Sequence, residues 1–194
     1  MDRSVLIVDE NLPYLINNIK FATGGASVQS MNWMNGFMKN GIKVNVLSDA
    51  NVENISKIRI INLFGNRKET NYPNLVNRFF AIFKAIKSCS PDYLYVSIPS
   101  WNSFLYGICC KLLNIKYIQR VSNDYMTDNR LVEFSGKVKY YLFYYGIKFT
   151  DVILCQNSYQ EINLKRKFSN KNVLKLYNPF DIPDSLPEFN CGEY

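Results

Sequence analysis

Short runs of β-branched and aromatic residues, alternating for the most part with longer stretches of helical character, constrain this chain more than anything else in it. The first run, Ser4 to Asp9 (SVLIVD), is apolar and closes on an acid. Lys43 to Leu47, Ile58 to Phe64, Asp92 to Ile98, Lys116 to Val121, Asp151 to Gln156 and Val173 to Leu176 follow it. Between them, Ser27 to Asn40, Asn74 to Ser88, Asn102 to Leu113, Ser135 to Phe149 and Ser158 to Phe168 read as helices. Near-continuous apolar strands joined through helices make βαβ units. The expected class is α/β: a Rossmann-like, mostly parallel sheet of about seven strands with helices on both faces. Such sheets bind ligands at the carboxyl ends of their strands, near the point where strand order reverses.

Within that frame, Asn11 to Gly25 reads as a long loop holding Pro13 and the pair Gly24-Gly25. In the helix that follows, Val28, Met31 and Met38 fall on one side, with Met34 and Phe37 close by. Ser27 suits its start and Asn40-Gly41 its end. Leu75, Phe79, Ile82, Phe83 and Ile86 form the stripe of the next helix. At 194 residues, with 47% hydrophobic and 20% charged, the chain suits one compact domain. Residues 1–180 are assigned to it. Beyond Asn178-Pro179 the proline-rich 181–194 reads as a linker or tail.

The net charge is +7, which attracts anions such as nucleotide phosphates or acidic lipid headgroups, or simply marks a basic surface. No recognisable nucleic-acid module accompanies it, so nucleic acid is not an expected partner. There is no histidine, which removes imidazole bases, Ser-His triads and His metal sites. Five cysteines, at 89, 109, 110, 155 and 191, form no CxxC pair, and Cys109, Cys110 and Cys155, in apolar stretches, read as small buried residues of a reducing compartment. The amino terminus lacks a signal-peptide pattern, and no run reaches the roughly 18 apolar residues of a membrane span. The expected location is cytoplasmic, with any membrane contact peripheral.

Several segments fall where a ligand would sit. Thr23-Gly24-Gly25-Ala26-Ser27 precedes the first long helix. Its glycines allow close backbone approach, and its first turn carries no acid, leaving helix-start amides open to a phosphate. The same residues also suit an ordinary tight turn. Arg120, Ser122, Asn123 and Asp124 follow the fifth strand. Asp124 is the candidate base or orienting carboxylate, and the competing reading is an Asx turn. Trp101, after the fourth strand, can stack on a sugar or a lipid, or simply pack. Ser158, after the sixth, is a polar group at the same edge or a helix cap. Lys137 to Phe149 (KVKYYLFYYGIKF) carries Val138, Tyr141, Leu142 and Tyr145 on one side and Tyr140, Phe143, Tyr144 and Ile147 on the other. It suits burial or a membrane interface.

Taken in order, the Gly-Gly loop, Ser90-Pro91-Asp92-Tyr93-Leu94-Tyr95-Val96, Thr150-Asp151-Val152-Ile153-Leu154 through Ser158, and Asn178-Pro179-Phe180-Asp181 resemble the acceptor-side, amino-terminal domain of family 4 retaining glycosyltransferases of the GT-B fold. The resemblance implies transfer of a sugar from a nucleotide-sugar donor to a glycan or glycolipid acceptor, with retained configuration, in pathways such as surface polysaccharide assembly. It implies no metal or cofactor. By it, Gly24 and Gly25 approach the donor diphosphate, and Asn123 and Asp124 occupy the place where the family often carries a His or an acid. Pro179 stands where the family usually has Gly. The family's donor-binding domain lies beyond this sequence, so the chain is expected to be inactive alone. Two other readings stay open: a non-catalytic Rossmann-like subunit that needs a partner chain, and a dinucleotide oxidoreductase with Asp49 on the ribose. The latter lacks its G-x-G-x-x-G loop.

Overall fold

The computed structural model describes residues 3–19, 24–50, 52, 58–63 and 75–177. The proposed tail and the Asn178-Pro179-Phe180-Asp181 segment lie outside the described residues, as does Thr23. In chain order the elements are β1 (Ser4–Val8), α1 (Leu12–Ile16), α2 (Gly25–Lys39), β2 (Lys43–Ser48), β3 (Arg59–Asn62), α3 (Leu75–Cys89), β4 (Tyr93–Val96) and α4 (Ser103–Leu113). Next come β5 (Lys116–Arg120), a 3-10 turn (Asp124–Met126), α5 (Leu131–Ser135), α6 (Lys137–Phe149), β6 (Val152–Cys155), α7 (Ser158–Lys167) and β7 (Asn172–Lys175). The seven strands form one sheet in the order β3-β2-β1-β4-β5-β6-β7, and every pairing is parallel. Strand order therefore reverses between β1 and β4.

Alternate residues of the strands feed opposite layers. Val5, Ile7, Val44, Val46 and Tyr95 meet Leu12 and Met34 of α1 and α2. Leu6, Val8, Leu47, Leu94, Val96 and Tyr117 meet Ile82 and Ile86 of α3 and Leu105, Cys109 and Cys110 of α4. A third cluster joins Val121 and Ile153 to Phe143 and Ile147 of α6 and Leu164 of α7. Cys109, Cys110 and Cys155 are buried, and all four described cysteines are free thiols. Burial pushes the Cys109 thiol up to about 12, as suits a packing residue rather than a nucleophile.

Three local features differ from the sequence expectation. The loop after β1 contains α1, whose Pro13 occupies the first turn, where its missing N–H costs nothing. Gly136, at φ +77°, starts the expected Ser135–Phe149 helix at Lys137 as α6 and separates it from a further short helix, α5, that ends at Ser135. The inner face of α2 is Ser27, Ser30 and Met34, whereas Val28 and Met38 are exposed.

Helices α4 and α6 touch through glycines. A Cβ on Gly146 would lie 2.7 Å from the Ser103 carbonyl carbon and 2.8 Å from the Phe104 nitrogen. A Cβ on Gly107 would meet Phe149 at 2.5 Å. Gly146→Ala is therefore expected to destabilise by about 1–3 kcal/mol through overpacking against backbone. Gly36→Ala, in the middle of α2 with nothing within 4 Å of the new methyl, is expected to stabilise by about 0.5–1 kcal/mol. Urea denaturation of the pair checks both signs, and equal effects would refute the helix contact.

Candidate functional site

The carboxyl edge of the sheet is organised by a residue that no motif marks. Asp9, directly after β1, is 2% exposed and carries a carboxylate into the interior. Five donors meet it. Its Oδ1 accepts from the amides of Asn11 (3.0 Å) and Leu12 (3.1 Å) and from the Ser27 hydroxyl (3.0 Å). Its Oδ2 accepts from the hydroxyls of Ser30 (2.6 Å) and Ser97 (2.8 Å). A buried charge is tolerated only when so satisfied. The hub fixes the ends of β1 and β4 and the first turn of α2 against one another.

This arrangement changes the reading of Ser27. Its side chain is fully buried and directed at Asp9, so it neither caps α2 nor faces solvent. The start of α2 is Gly24, which offers no side-chain cap. Gly24 and Gly25 are exposed, and a Cβ on either would meet nothing within 4 Å. The first turn contains no acid of its own, but Asp9 supplies one from β1 through Ser27 and Ser30. Gly25 is exposed and Ala26 half-buried, and as the first residues of the helix their amides have no partner within it.

On the other side of β1 lies a cavity of about 210 Å³ lined by Asp9, Glu10, Asp49, Ser100, Asn102 and Tyr106, among others. Arg78, on the inner face of α3 and 2% exposed, pairs with Asp49 and donates from Nε to Asn102 Oδ1 at 2.8 Å. Its guanidinium also lies over the Trp101 ring, 5.5 Å from the centroid. Glu10 is held above the ordinary carboxylate range, first by desolvation and then by the Asp49 charge, with Arg78 pulling the other way. A larger cavity of about 400 Å³ sits at the amino edge, beside Pro91, Asn114 and Lys116, where open α/β sheets do not place ligands.

The far lip is built from the segments after β5 and β6. Asp124 Oδ1 accepts from Asn157 Nδ2 (3.1 Å) and Gln160 Nε2 (2.9 Å), which ties it to the start of α7. The Gln156 side chain donates to the carbonyls of Val121 (3.2 Å) and Ser122 (3.3 Å). Ser122 and Asn123 stay near this lip, with Asn123 Nδ2 donating to Tyr125 Oη at 3.2 Å. Arg120 does not stand at the surface. It is 3% exposed and lies by the Tyr95 phenol, which burial pushes up to about 12 against the pull of Arg120. The cap of α7 is Asn157, whose side chain accepts from the Gln160 amide, and Ser158 instead accepts from Lys175 Nζ at 3.2 Å.

Between the two lips, Trp101, Tyr125, Met126, Leu131, Lys139 and Phe143 line a mostly apolar cavity of about 180 Å³. Trp101 and the segment after β5 are thus brought together, as their placement at one edge suggested. Among the described residues, neither of these two cavities is lined by Gly24, Gly25 or Asp124.

A family model described as glycosyl transferase 4-like matches residues 19–157. The chain belongs to that family. Its Rossmann-like sheet is the one found in GT-B glycosyltransferases, where it forms part of a longer chain. MurG of Acinetobacter baumannii matches with a TM-score of 0.58 at 12% identity, covering 95% of this chain and 48% of its own. Anabaena Alr3699/HepE, solved with UDP and glucose, gives 0.61 at 11%, covering 91% and 45%. Sucrose-phosphate synthase of Thermosynechococcus elongatus gives 0.60 at 13%, covering 90% and 48%. This glycosyl transferase 4-like chain spans about half the length of these three proteins. No curated protein matches it in sequence.

Asp9, Glu10 and Arg78 were absent from the sequence-level candidates, although each left a trace. Asp9 closes the first strand, and Arg78 stands four and eight residues before Ile82 and Ile86, on the helix face that points inward.

Two outcomes test this geometry. Asp9→Ala removes the acceptor of five donors and is expected to cost at least about 3 kcal/mol, read by urea denaturation. A loss below about 1 kcal/mol would remove the hub. The second concerns Asp128, which is clasped by Arg130 (Nη2 to Oδ2, 2.6 Å) and by the Tyr159 hydroxyl (3.1 Å). Hydrogen bonds from Arg130 lower its carboxyl from 3.8 to about 2. The folded value lies below the unfolded one, so this contribution is present above about pH 4 and is lost as pH falls toward 2. Asp128→Asn should flatten the stability-pH curve in that interval and leave its slope near neutrality unchanged.

Proposed function

We propose that the chain is the acceptor-side wall of a retaining glycosyltransferase. It moves a sugar from a nucleotide-sugar donor to a glycan or glycolipid acceptor once a donor-binding domain closes the cleft. The family match over residues 19–157 carries this reading, because it joins a transferase family to a one-walled cleft at the switch point of a parallel sheet. In this proposal the amides of Gly25 and Ala26, with Gly24 before them, meet the donor diphosphate. Ser122, Asn123 and Trp101 form the acceptor lip, where Trp101 gives a sugar or lipid an aromatic surface.

The chain has no histidine, so a proton acceptor here is a carboxylate. Asp124 holds the lip position, with one oxygen engaged by Asn157 and Gln160. Glu10, an exposed residue at the rim of the other cavity, has a proton affinity raised by partial desolvation and the Asp49 charge, which makes it a second candidate. The proposed setting is the cytoplasmic face of a membrane, in polysaccharide or glycolipid assembly, with peripheral contact. The engagement of Asp124 also fits the alternative of a binding subunit whose chemistry lies on another chain.

The deciding experiment combines the chain with a donor-binding domain, by mixing or by fusion, and follows sugar transfer. Expected is negligible turnover by the chain alone and measurable transfer by the pair, since positioning and water exclusion both need two walls. Asp124→Asn or Glu10→Gln in the active pair should lower kcat by about 10²-fold or more at whichever position is the base. Turnover by the isolated chain would refute the need for a second wall. Full activity of both variants would refute the carboxylate assignment while leaving the fold untouched.

A further inference from the structure

Helix α6 is two-sided. Phe143, Gly146 and Ile147 are buried. On the opposite side Val138, Tyr141 and Tyr145 stand at spacings of three and four residues, so they share one face, and they are 73%, 56% and 48% exposed. A compact protein has no folding reason to gather three large apolar groups on one outer helix face.

The charge around this stripe has one sign. Lys137 and Lys148 flank it and are exposed, and α6 contains no acid. Lys148 Nζ lies 5.1 Å and 5.0 Å from the ring centroids of Tyr144 and Tyr145, an ammonium poised at the edge of an aromatic surface. On neighbouring elements the acids are mostly matched. Asp128 pairs with Arg130, Glu161 with Lys165 and Lys175, and Asp151 with Lys116. Glu133 of α5 is the exposed acid nearest in sequence. Lysine stems that lie along apolar rings while their ammonium groups reach outward suit the headgroup level of a bilayer.

From these observations we infer that the outer face of α6 docks on an anionic phospholipid bilayer, with Val138, Tyr141 and Tyr145 entering the interface and Lys137 and Lys148 meeting lipid phosphates. Neither signal is strong alone, and together they suffice for reversible binding. The inference builds on the peripheral contact proposed above and names the face that makes it.

Co-sedimentation of the 194-residue chain with vesicles tests it, with no sugar donor or acceptor present, so the outcome is independent of transferase activity. Expected is binding to vesicles of phosphatidylglycerol and phosphatidylcholine that falls with salt, and little binding to phosphatidylcholine alone. K137Q/K148Q should weaken anionic binding on the order of 30-fold, and V138S/Y141S/Y145S at least about 10-fold. K165Q/R166Q on α7 should retain most of it. Circular dichroism confirms that each variant is folded. The inference is overturned by failure of the parent chain to bind anionic vesicles, or by binding that the α6 variants leave unchanged. Sedimentation velocity showing that the same face instead joins two copies of the chain, with no vesicle binding, overturns it as well.

Discussion

One buried carboxylate sets the geometry of the carboxyl edge. Asp9 lies where β1 ends, next to the reversal of strand order, and an unpaired charge there would be costly. Its donors come from the turn into α1, from α2 and from the end of β4, and the three serines stand 18, 21 and 88 positions away in sequence. Folding must bring all of them together before the charge is satisfied. The same bonds hold the amino end of α2 at the sheet. The presentation of Gly24 and Gly25 to solvent is thus a consequence of a hydrogen-bond hub beneath them, and the glycines themselves contribute only access.

The opposite lip uses the same physics with exposed groups. Asp124 and Asp128, both after β5, are each bonded to α7, the first through Asn157 and Gln160 and the second through Tyr159. Their carboxylates therefore act as ties between two loops that the sheet alone would leave adjacent but unconnected. Behind them the glycine contacts of α4 and α6 draw these helices close. That closeness places Phe143 and Lys139 of α6 within reach of Trp101, and the cavity between the lips exists because of it.

Much of the architecture could be read from residues. Apolar runs marked all seven strands, and their alternation with helices marked the parallel order, because a strand buried on both faces has little choice of composition. Asn40-Gly41 gave the end of α2, and Gly41 does adopt φ +73°. Polar burial was harder to see. An apolar stripe on α2 pointed to Val28 and Met38, yet Ser27 and Ser30 turn inward because Asp9 requires donors. Arg78 hid in the stripe of α3 for the same reason, its partner Asp49 lying on another element. Periodicity registers what water rejects. It does not register a polar group whose partner is distant in sequence. Arg120 shows the converse error, since a basic residue at a strand end looked available and is instead enclosed beside Tyr95.

These constraints bear on the proposal that this edge is one wall of a two-walled cleft. In that proposal the donor meets a helix start whose side chains are absent or turned inward, so it offers amides and little else. The acceptor would meet the Trp101 ring and the Asp124 carboxylate, the latter held by bonds to the start of α7. Neither set encloses a ligand, and the Asp9 carboxylate under the helix start tempers its attraction for a lone phosphate. A second wall would supply the missing charge neutralisation and exclude water, and the electrostatics of the first would then strengthen as the local dielectric fell. Under the proposed function, an edge that binds weakly when open and strongly when closed would commit substrates only when both are present, and this would matter because water competes with the acceptor for the activated sugar.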